Sequence, residues 1–183
     1  MLGAVIGDIA GSRFEFDNYR HTDFDIFSPD SDFTDDTICT VAIADWVLQD
    51  CNDNLTSTLQ GWCRAYPCPK GAYGGRFSQW IEWKDPEPYN SWGNGSAMRV
   101  SAVGWAFASL EETLHFAEQS AIVTHNHPEG IKGAQAVAAA IFWARTGIGK
   151  AQIKENITRQ FSYDLSQSCD QIRPHYHFNE SCQ

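Results

Sequence analysis

Apolar residues recur at helical spacing along most of this 183-residue chain, and no alternating apolar and polar run is long enough to make a strand. The clearest stripe is formed by Ile38, Val41, Ala42 and Trp46, at positions i, i+3, i+4 and i+8. Further helices are predicted over residues 2–12, 54–66, 77–83, 96–107, 109–123, 128–145 and around 153–161. With 43% hydrophobic residues, the chain is expected to form one all-α domain over residues 1–183.

The first predicted helix carries three glycines, Gly3, Gly7 and Gly11, on one line. Each glycine within a helix costs about 1 kcal/mol relative to alanine. A helix that accepts this cost three times on one line is expected to let another backbone approach closely. We therefore predict that residues 2–12 form a buried central helix.

Composition and charge exclude several classes of partner. The net charge of −10 opposes binding to nucleic acid or to an anionic membrane. No stretch approaches the ~20 apolar residues needed to span a bilayer. The N-terminus does not resemble a signal peptide, because it lacks a basic region and Asp8 interrupts its apolar run. The six cysteines show no zinc spacing, so we expect free thiols in the cytoplasm.

Thr34, Asp35 and Asp36 stand where the second helix should begin. One interpretation is an ordinary helix start, with Thr34 as N-cap and two acids in a first turn that favours negative charge. The other is a cation site, because a hydroxyl and adjacent carboxylates are the ligands that Mg²⁺ or Mn²⁺ prefers. This segment alone leaves both interpretations open.

Two glycine-rich segments precede predicted helices, residues 71–75 (Gly-Ala-Tyr-Gly-Gly) and residues 93–96 (Gly-Asn-Gly-Ser). Each is either a simple turn or a loop whose backbone N–H groups face an anion. In so acidic a chain, a phosphate would need such neutral donors, together with a cation or Arg99.

Other polar residues carry weaker signals. Glu15, just after the first helix, is either a solvated side chain or an acid/base group. His125 and His127 flank a helix start at Pro128, but no third His or Cys has the spacing of a zinc ligand, so zinc is not favoured.

The motifs together resemble the ADP-ribosylglycohydrolase family, of the dinitrogenase-reductase-activating glycohydrolase type. Residues 7–12 (Gly-Asp-Ile-Ala-Gly-Ser) with Glu15 are similar to its opening motif, and residues 33–37 (Phe-Thr-Asp-Asp-Thr) to its metal-binding helix start. Residues 71–75, residues 93–99 (Gly-Asn-Gly-Ser-Ala-Met-Arg) and Thr124-His125 follow in the family's order. The resemblance covers residues 1 to about 147, and the block 93–99 is the most specific part.

The resemblance implies an orthogonal helical bundle that hydrolyses the glycosidic bond of an ADP-ribosylated protein or small ADP-ribose conjugate. It implies two Mg²⁺ or Mn²⁺ ions, with Thr34, Asp35 and Asp36 as metal ligands and Glu15, Asp35 and Asp36 as catalytic groups. The substrate-binding residues it implies are Gly71, Tyr73, Gly74, Gly93, Asn94, Gly95, Ser96, Met98, Arg99 and His125.

The chain departs from the family pattern at its C-terminal end. The family has a second Asp-x-Asp cluster on a late helix, and nothing after Asp36 supplies it here. The sequence therefore resembles a family member that lacks its last helices. We expect either an active hydrolase or an inactive ADP-ribose-binding or regulatory protein. In both cases we expect the chain to self-associate or to need a complementing C-terminal fragment.

Overall fold

The computed structural model describes residues 1–52, 54–177 and 181–182, and within them the chain is helical with no β-strand. Among the described residues, β-type pairing is limited to two isolated bridges, which join Thr34 to Lys70 and Gly93 to Ser181. The helices are α1 (Leu2–Gly11), α2 (Asp35–Leu48), α3 (Leu55–Ala65), α4 (Gly75–Glu82), α5 (Gly95–Arg99), α6 (Ser101–Ala106), α7 (Leu110–Ile122), α8 (Pro128–Arg145), α9 (Lys150–Phe161) and α10 (Cys169–Ile172). The all-α prediction is confirmed.

Two helices form the centre of the packing. Helix α2 packs against α1, α3, α5 and α6, while α8 packs against α5, α6, α7 and α9. Helices α5 and α6 therefore lie between α2 and α8. The largest apolar cluster joins α2 and α6 to α7 and α8, and includes Ile43, Val103, Ala121 and Ala134. A second cluster joins α2 to α3 and α4 around Trp80, which is fully buried.

Several helix starts agree with the capping residues in the sequence. The Thr34 hydroxyl accepts a hydrogen bond from the Asp36 N–H at 3.2 Å, so Thr34 is the N-cap of α2. Ser109 and Glu112 form the predicted capping box of α7. Helix α8 has Pro128 in its first turn and His127 as its N-cap.

The helix predicted over residues 96–107 is instead divided at Val100 into α5 and α6. Packing explains the division, because both short helices rest against α8 and Val100 is fully buried between them. A methyl group at Gly104 would lie 2.7 Å from Ile141 Cβ and 3.0 Å from the Ala138 carbonyl oxygen of α8. Gly104 thus permits close contact between α6 and α8, and the apolar period alone did not reveal the interruption at Val100.

The prediction that α1 is a buried central helix is wrong for the described chain. None of its residues is buried, and its main packing partner is α2. A Cβ atom added at Gly3, Gly7 or Gly11 would meet no atom within 4 Å, so no backbone approaches this line. Instead, Gly7 and Gly11 line an open cavity. Among the described residues, no helix is both long and apolar enough to cross a membrane.

Candidate functional site

A cavity of about 830 Å³ lies at the junction of α1, α2, α4 and α5. Its wall is formed by five separate parts of the chain: α1 with the loop that follows it, the start of α2, residues 71–77, residues 89–99, and His125. Its volume falls in the range of small-molecule sites, about 300–1,000 Å³. The motifs that are far apart in the sequence therefore share one cavity.

Nearly all of the predicted site residues line this cavity. They are Glu15, Thr34, Asp35, Asp36, Gly71, Tyr73, Gly74, Gly93, Asn94, Gly95, Met98, Arg99 and His125. Ser96 is not part of the wall. Its side chain is fully buried, and its hydroxyl donates to the Gly130 carbonyl oxygen at 2.7 Å, which ties α5 to α8. The prediction that Ser96 contacts substrate is not supported by this geometry.

Asp8, near the end of α1, contacts the start of α2. The sequence motifs assigned no separate role to this residue. Its carboxylate accepts the N–H of Thr34 at 2.9 Å and the Thr34 hydroxyl at 2.6 Å. It also accepts the N–H and hydroxyl of Thr37, at 3.2 Å and 2.5 Å. One carboxylate near the end of α1 therefore holds the first turn of α2 in place. In the sequence, the signal for this contact was the pair of hydroxyl side chains of Thr34 and Thr37, which can donate to a carboxylate.

The two acids in the first turn of α2 are poorly accommodated as free anions. Burial, together with the nearby charges of Asp36, Glu15 and Asp8, raises the pKa of Asp35 to about 7. Burial and the charge of Asp8 raise the pKa of Asp36 to about 6, although a hydrogen bond from Thr34 acts in the opposite direction. This end of the cavity therefore has more negative charge than its own donors compensate.

Glu15 lies against the first glycine-rich loop. Gly71 has a φ of +80°, a conformation that L side chains rarely adopt, and a Cβ atom there would lie 2.7 Å from a Glu15 carboxylate oxygen. The bridge between Thr34 and Lys70 brings this loop beside the start of α2. The loop thus needs glycine at position 71 for both its backbone shape and its contact with Glu15.

A buried chain of polar groups stands behind the second glycine-rich loop. Arg99 is 1% exposed, and its guanidinium donates to the Ser120 carbonyl oxygen at 2.7 Å and to the Thr124 hydroxyl oxygen at 2.9 Å. The Thr124 hydroxyl lies 2.7 Å from His125 Nδ1. Because the Thr124 oxygen accepts from Arg99, its own hydrogen is free to be donated to Nδ1.

These buried polar groups determine the protonation state of His125. Burial, and then the charge of Arg99, lowers the pKa of His125 to about 3, so the ring is neutral near pH 7. If Nδ1 accepts from Thr124, the single ring proton is on Nε2. A methyl group at Gly95 would lie 3.0 Å from Nε2, so this nitrogen faces the loop at residues 93–95. The geometry thus makes His125 a neutral hydrogen-bond donor at the cavity wall.

Arg76 and Tyr89 are further cavity residues that the sequence argument missed. The Arg76 guanidinium carbon lies 5.8 Å from the centre of the Tyr89 ring, and Arg76 is exposed in the first turn of α4. The described cavity wall contains two side chains with a permanent positive charge, Arg76 and Arg99. The position of Arg76 directly after the Gly74-Gly75 pair was the signal that could have identified it.

The residues at the start of α2 fit one divalent cation better than two. The carboxylates of Asp35 and Asp36 are oxygen donors of the kind that Mg²⁺ and Mn²⁺ prefer, and their raised pKa values indicate uncompensated negative charge. However, within residues 1–52, 54–177 and 181–182, no three His, Cys, Asp or Glu side chains are grouped to hold an ion. The described residues do not assemble the two-metal centre that the resemblance implies.

The described residues form a helical protein with a cavity whose wall carries both acidic and basic side chains. A model of the ADP-ribosylglycohydrolase family matches residues 1–177, and the chain belongs to that family. It is similar to an ADP-ribosylhydrolase ARH3 of Xenopus tropicalis, with 26% identity over 175 residues, covering 80% of this chain and 49% of the relative. It is also similar to ADP-ribosylhydrolase ARH3 of Mus musculus, with 37% identity over 62 residues, covering 34% of this chain and 17% of that protein. The chain thus spans about half the length, or less, of these relatives.

Proposed function

We propose that this chain is a hydrolase that cleaves the glycosidic bond between ADP-ribose and a modified protein side chain or small acceptor. The observation that carries the proposal is that five separated family motifs line one cavity of about 830 Å³. The names of the two relatives, both ADP-ribosylhydrolases, agree with it. We propose that residues 1–183 belong to a single domain of this type.

The proposed roles follow from the charges of the wall. The pyrophosphate of the substrate would lie at the loops of residues 71–75 and 93–95, near Arg76 and the Nε2–H of His125. This end offers cationic and neutral donors, which suit phosphate oxygens. The scissile bond would lie at the acidic end of the cavity, beside Glu15, Asp35 and Asp36. Tyr73 and Met98, which also line the wall, would contact the remaining parts of the nucleotide.

The chemistry at the acidic end is general base assistance to an attacking water. Glu15 lies against Gly71, and the Asp36 N–H donates to the Thr34 hydroxyl, so both residues are positioned for their carboxylates to accept a water proton. Asp8 keeps the first turn of α2 in the required position. A Mg²⁺ or Mn²⁺ ion held by Thr34, Asp35 and Asp36 would neutralise these carboxylates and orient ribose hydroxyls. In a complete family member the resemblance implies two such ions.

Binding and turnover should be measured separately. Calorimetry with ADP-ribose tests the site, and chromatographic detection of ADP-ribose released from an ADP-ribosylated peptide, with and without Mg²⁺, tests hydrolysis. We expect binding together with Mg²⁺-dependent release. Absence of both would contradict the proposal, and loss of both on replacing Asp36 by Ala would support the assigned site.

A second candidate function is an ADP-ribose-binding or regulatory protein without activity. It is favoured by the absence of a second Asp-x-Asp cluster after Asp36 and of a three-ligand metal group in the described residues. In that case ADP-ribose would bind, and no product would form at any Mg²⁺ or Mn²⁺ concentration. The two measurements above therefore separate the two candidates.

We further propose that α1 is a contact surface for a second copy of the chain or for a complementing C-terminal fragment. Leu2 is 78% exposed and Ile6 is 47% exposed on this helix, and Phe16 nearby is 75% exposed. An apolar patch of this kind is typical of a protein–protein contact. We expect association in sedimentation at micromolar concentration, whereas one monomeric species with a cooperative melt would contradict this.

The six free thiols suit the cytoplasm, where we propose that the protein acts.

A further inference from the structure

The end of the chain is packed against the second glycine-rich loop. Cys182, the last residue that the structure describes, is 7% exposed, and its N–H donates to the Trp92 carbonyl oxygen at 3.0 Å. Its thiol donates to the Gly93 carbonyl oxygen at 3.1 Å, and Ser181 forms an isolated bridge with Gly93. Gly93 is the first residue of the loop at 93–95, all of which lines the cavity.

Two helices enclose the Cys182 side chain from the other side. A methyl group at Gly133 of α8 would lie 2.4 Å from the Cys182 sulfur and 2.9 Å from its Cβ atom. The sulfur also lies 3.9 Å from the Ser96 hydroxyl of α5. The Tyr163 hydroxyl, just after α9, donates to the Cys182 carbonyl oxygen at 2.6 Å. Cys182 thus occupies a fitted position between the loop and α8.

The tail also contacts the loop that follows α1. The Tyr176 carbonyl oxygen accepts from Asn18 Nδ2 and from an Arg20 guanidinium nitrogen, each at 2.9 Å. Glu15 and Phe16, which line the cavity, lie close to these donors in the sequence. The described parts of the tail therefore bond to the loop at residues 93–95 of the cavity wall, and to the segment that follows Glu15 and Phe16 in the sequence.

We propose that Cys182 is a positioning residue that holds the loop at residues 93–95 in the conformation that binds ADP-ribose. The proposal rests on the proposed function, because ADP-ribose is taken as the ligand of this loop. A loop with two glycines in three residues loses much backbone freedom when it is ordered around a ligand. Bonding Gly93 to the tail beforehand removes part of that cost from binding.

The test compares two cysteines of the same tail. In Cys182→Ala the bond to Gly93 and the packing on Gly133 are lost, and we expect the Kd for ADP-ribose to weaken about fivefold, the effect of one hydrogen bond. Cys169→Ala is the control, since Cys169 is exposed in α10. Cys182→Ser keeps a donor of similar size and should bind within about twofold of the wild type.

A second pair of variants displaces Cys182 without altering it. Gly133→Ala puts a methyl group where the sulfur lies and should weaken binding as Cys182→Ala does. Gly61→Ala, in α3, is the control because a methyl group there meets nothing within 4 Å. All measurements are made far below the melting temperature, so a change of stability alone would leave Kd unchanged.

Hydrogen exchange at the amides of Gly93, Asn94 and Gly95 separates this inference from the proposed function. Faster exchange in Cys182→Ala, with unchanged exchange in Cys169→Ala, supports the positioning role even if the wild-type chain fails to bind ADP-ribose. Wild-type exchange in the loop together with a wild-type Kd in Cys182→Ala would overturn it.

Discussion

The cavity has one group of acidic residues and one group of basic residues, and their environments differ. The acidic group consists of Asp8, Glu15, Asp35 and Asp36, and the buried basic group consists of Arg99 and His125. Arg99 donates to Ser120 and Thr124, and His125 is held neutral by its surroundings. In the acidic group, by contrast, burial and mutual repulsion raise the pKa of Asp35 and of Asp36.

This difference indicates which part of the site is complete within the chain. In the buried basic group, Arg99 donates two hydrogen bonds that should contribute to folding, although burial lowers the pKa of its guanidinium and leaves its Nε without a hydrogen-bond partner among the described residues. The acidic group has more charge than the chain compensates, so it should cost stability until a cation or a proton arrives. The predictions below test this contrast in order of expected effect.

The largest effect is expected on replacing Arg99 by Met. The variant loses two buried hydrogen bonds and leaves their acceptors on α7 and Thr124 without a donor, so the free energy of unfolding should fall by about 3 kcal/mol in urea denaturation. Arg76→Met is the control, because Arg76 is exposed at the same cavity. We expect Arg76→Met to keep its stability and weaken ADP-ribose binding. Equal stability of Arg99→Met and the wild type would show that the buried group is not structural.

Replacing Asp36 by Ala should lower any hydrolysis at least about 100-fold, since a group that assists proton transfer contributes about 10²–10⁴. His127→Ala is the comparison, because His127 is not part of the described cavity wall. His127 caps α8 by accepting the Glu129 N–H at 3.1 Å, so its loss should cost about 1 kcal/mol of stability and leave turnover unchanged. Equal losses of turnover in a matched assay would reject the assigned roles.

Replacing Asp35 by Asn should stabilise the metal-free protein at high pH. The pKa of Asp35 is about 7 in the folded chain and 3.8 when unperturbed, so the native state holds the extra proton between these values. Wild-type stability therefore falls as the pH rises through this window. The gain from Asn should reach about 1–2 kcal/mol above pH 7, after allowance for solvent screening, and vanish near pH 4.

The control for this variant lies on the same helix. Hydrogen bonds from Trp62 and Gln49 lower the pKa of Asp45, so Asp45→Asn should destabilise the protein at high pH. Thermal melts of both variants from pH 4 to pH 8 measure the two signs. A loss of stability in Asp35→Asn at pH 8 would contradict the view that the acidic group is strained.

The smallest effect is expected from Mg²⁺ itself. Since the described residues group no three His, Cys, Asp or Glu side chains around an ion, one ion should bind weakly, and Mg²⁺ at ten times its Kd would add about 1.4 kcal/mol of stability. Calorimetric titration should give one weak site per chain, and Asp45→Asn should leave it unchanged. Two tight sites per chain would mean that further ligands are supplied from elsewhere.

The sequence was sufficient to predict most helices and most of the cavity wall. Caps such as Thr34 and Ser109 act locally, so their effect is visible without the fold. The family motifs predicted which loops meet. The division of the helix at Val100 was not predictable, because the apolar period continues through that position and the packing of both halves on α8, a partner distant in sequence, is visible only in the fold.

The position of α1 and the role of Ser96 were missed for related reasons. Small residues on a helix predict close approach, but they are equally compatible with an open cavity, which is what Gly7 and Gly11 line. Ser96 has the same motif context as its cavity-lining neighbours, and only the hydrogen bond to Gly130 shows that it faces α8. Side-chain direction at the start of so short a helix is set by tertiary packing.

The excess of carboxylates in the cavity wall has a consequence for the speed of encounter. Four acids and two arginines give the described wall a net negative charge, while ADP-ribose is itself an anion. At low ionic strength the two should repel each other over about one Debye length, which is about 10 Å at 0.1 M salt. Added monovalent salt should therefore accelerate association in stopped-flow measurements, in contrast to a site that attracts its ligand by charge. Divalent cation at a concentration that saturates the site should remove this dependence, because neutralising the wall removes the repulsion that salt would otherwise screen.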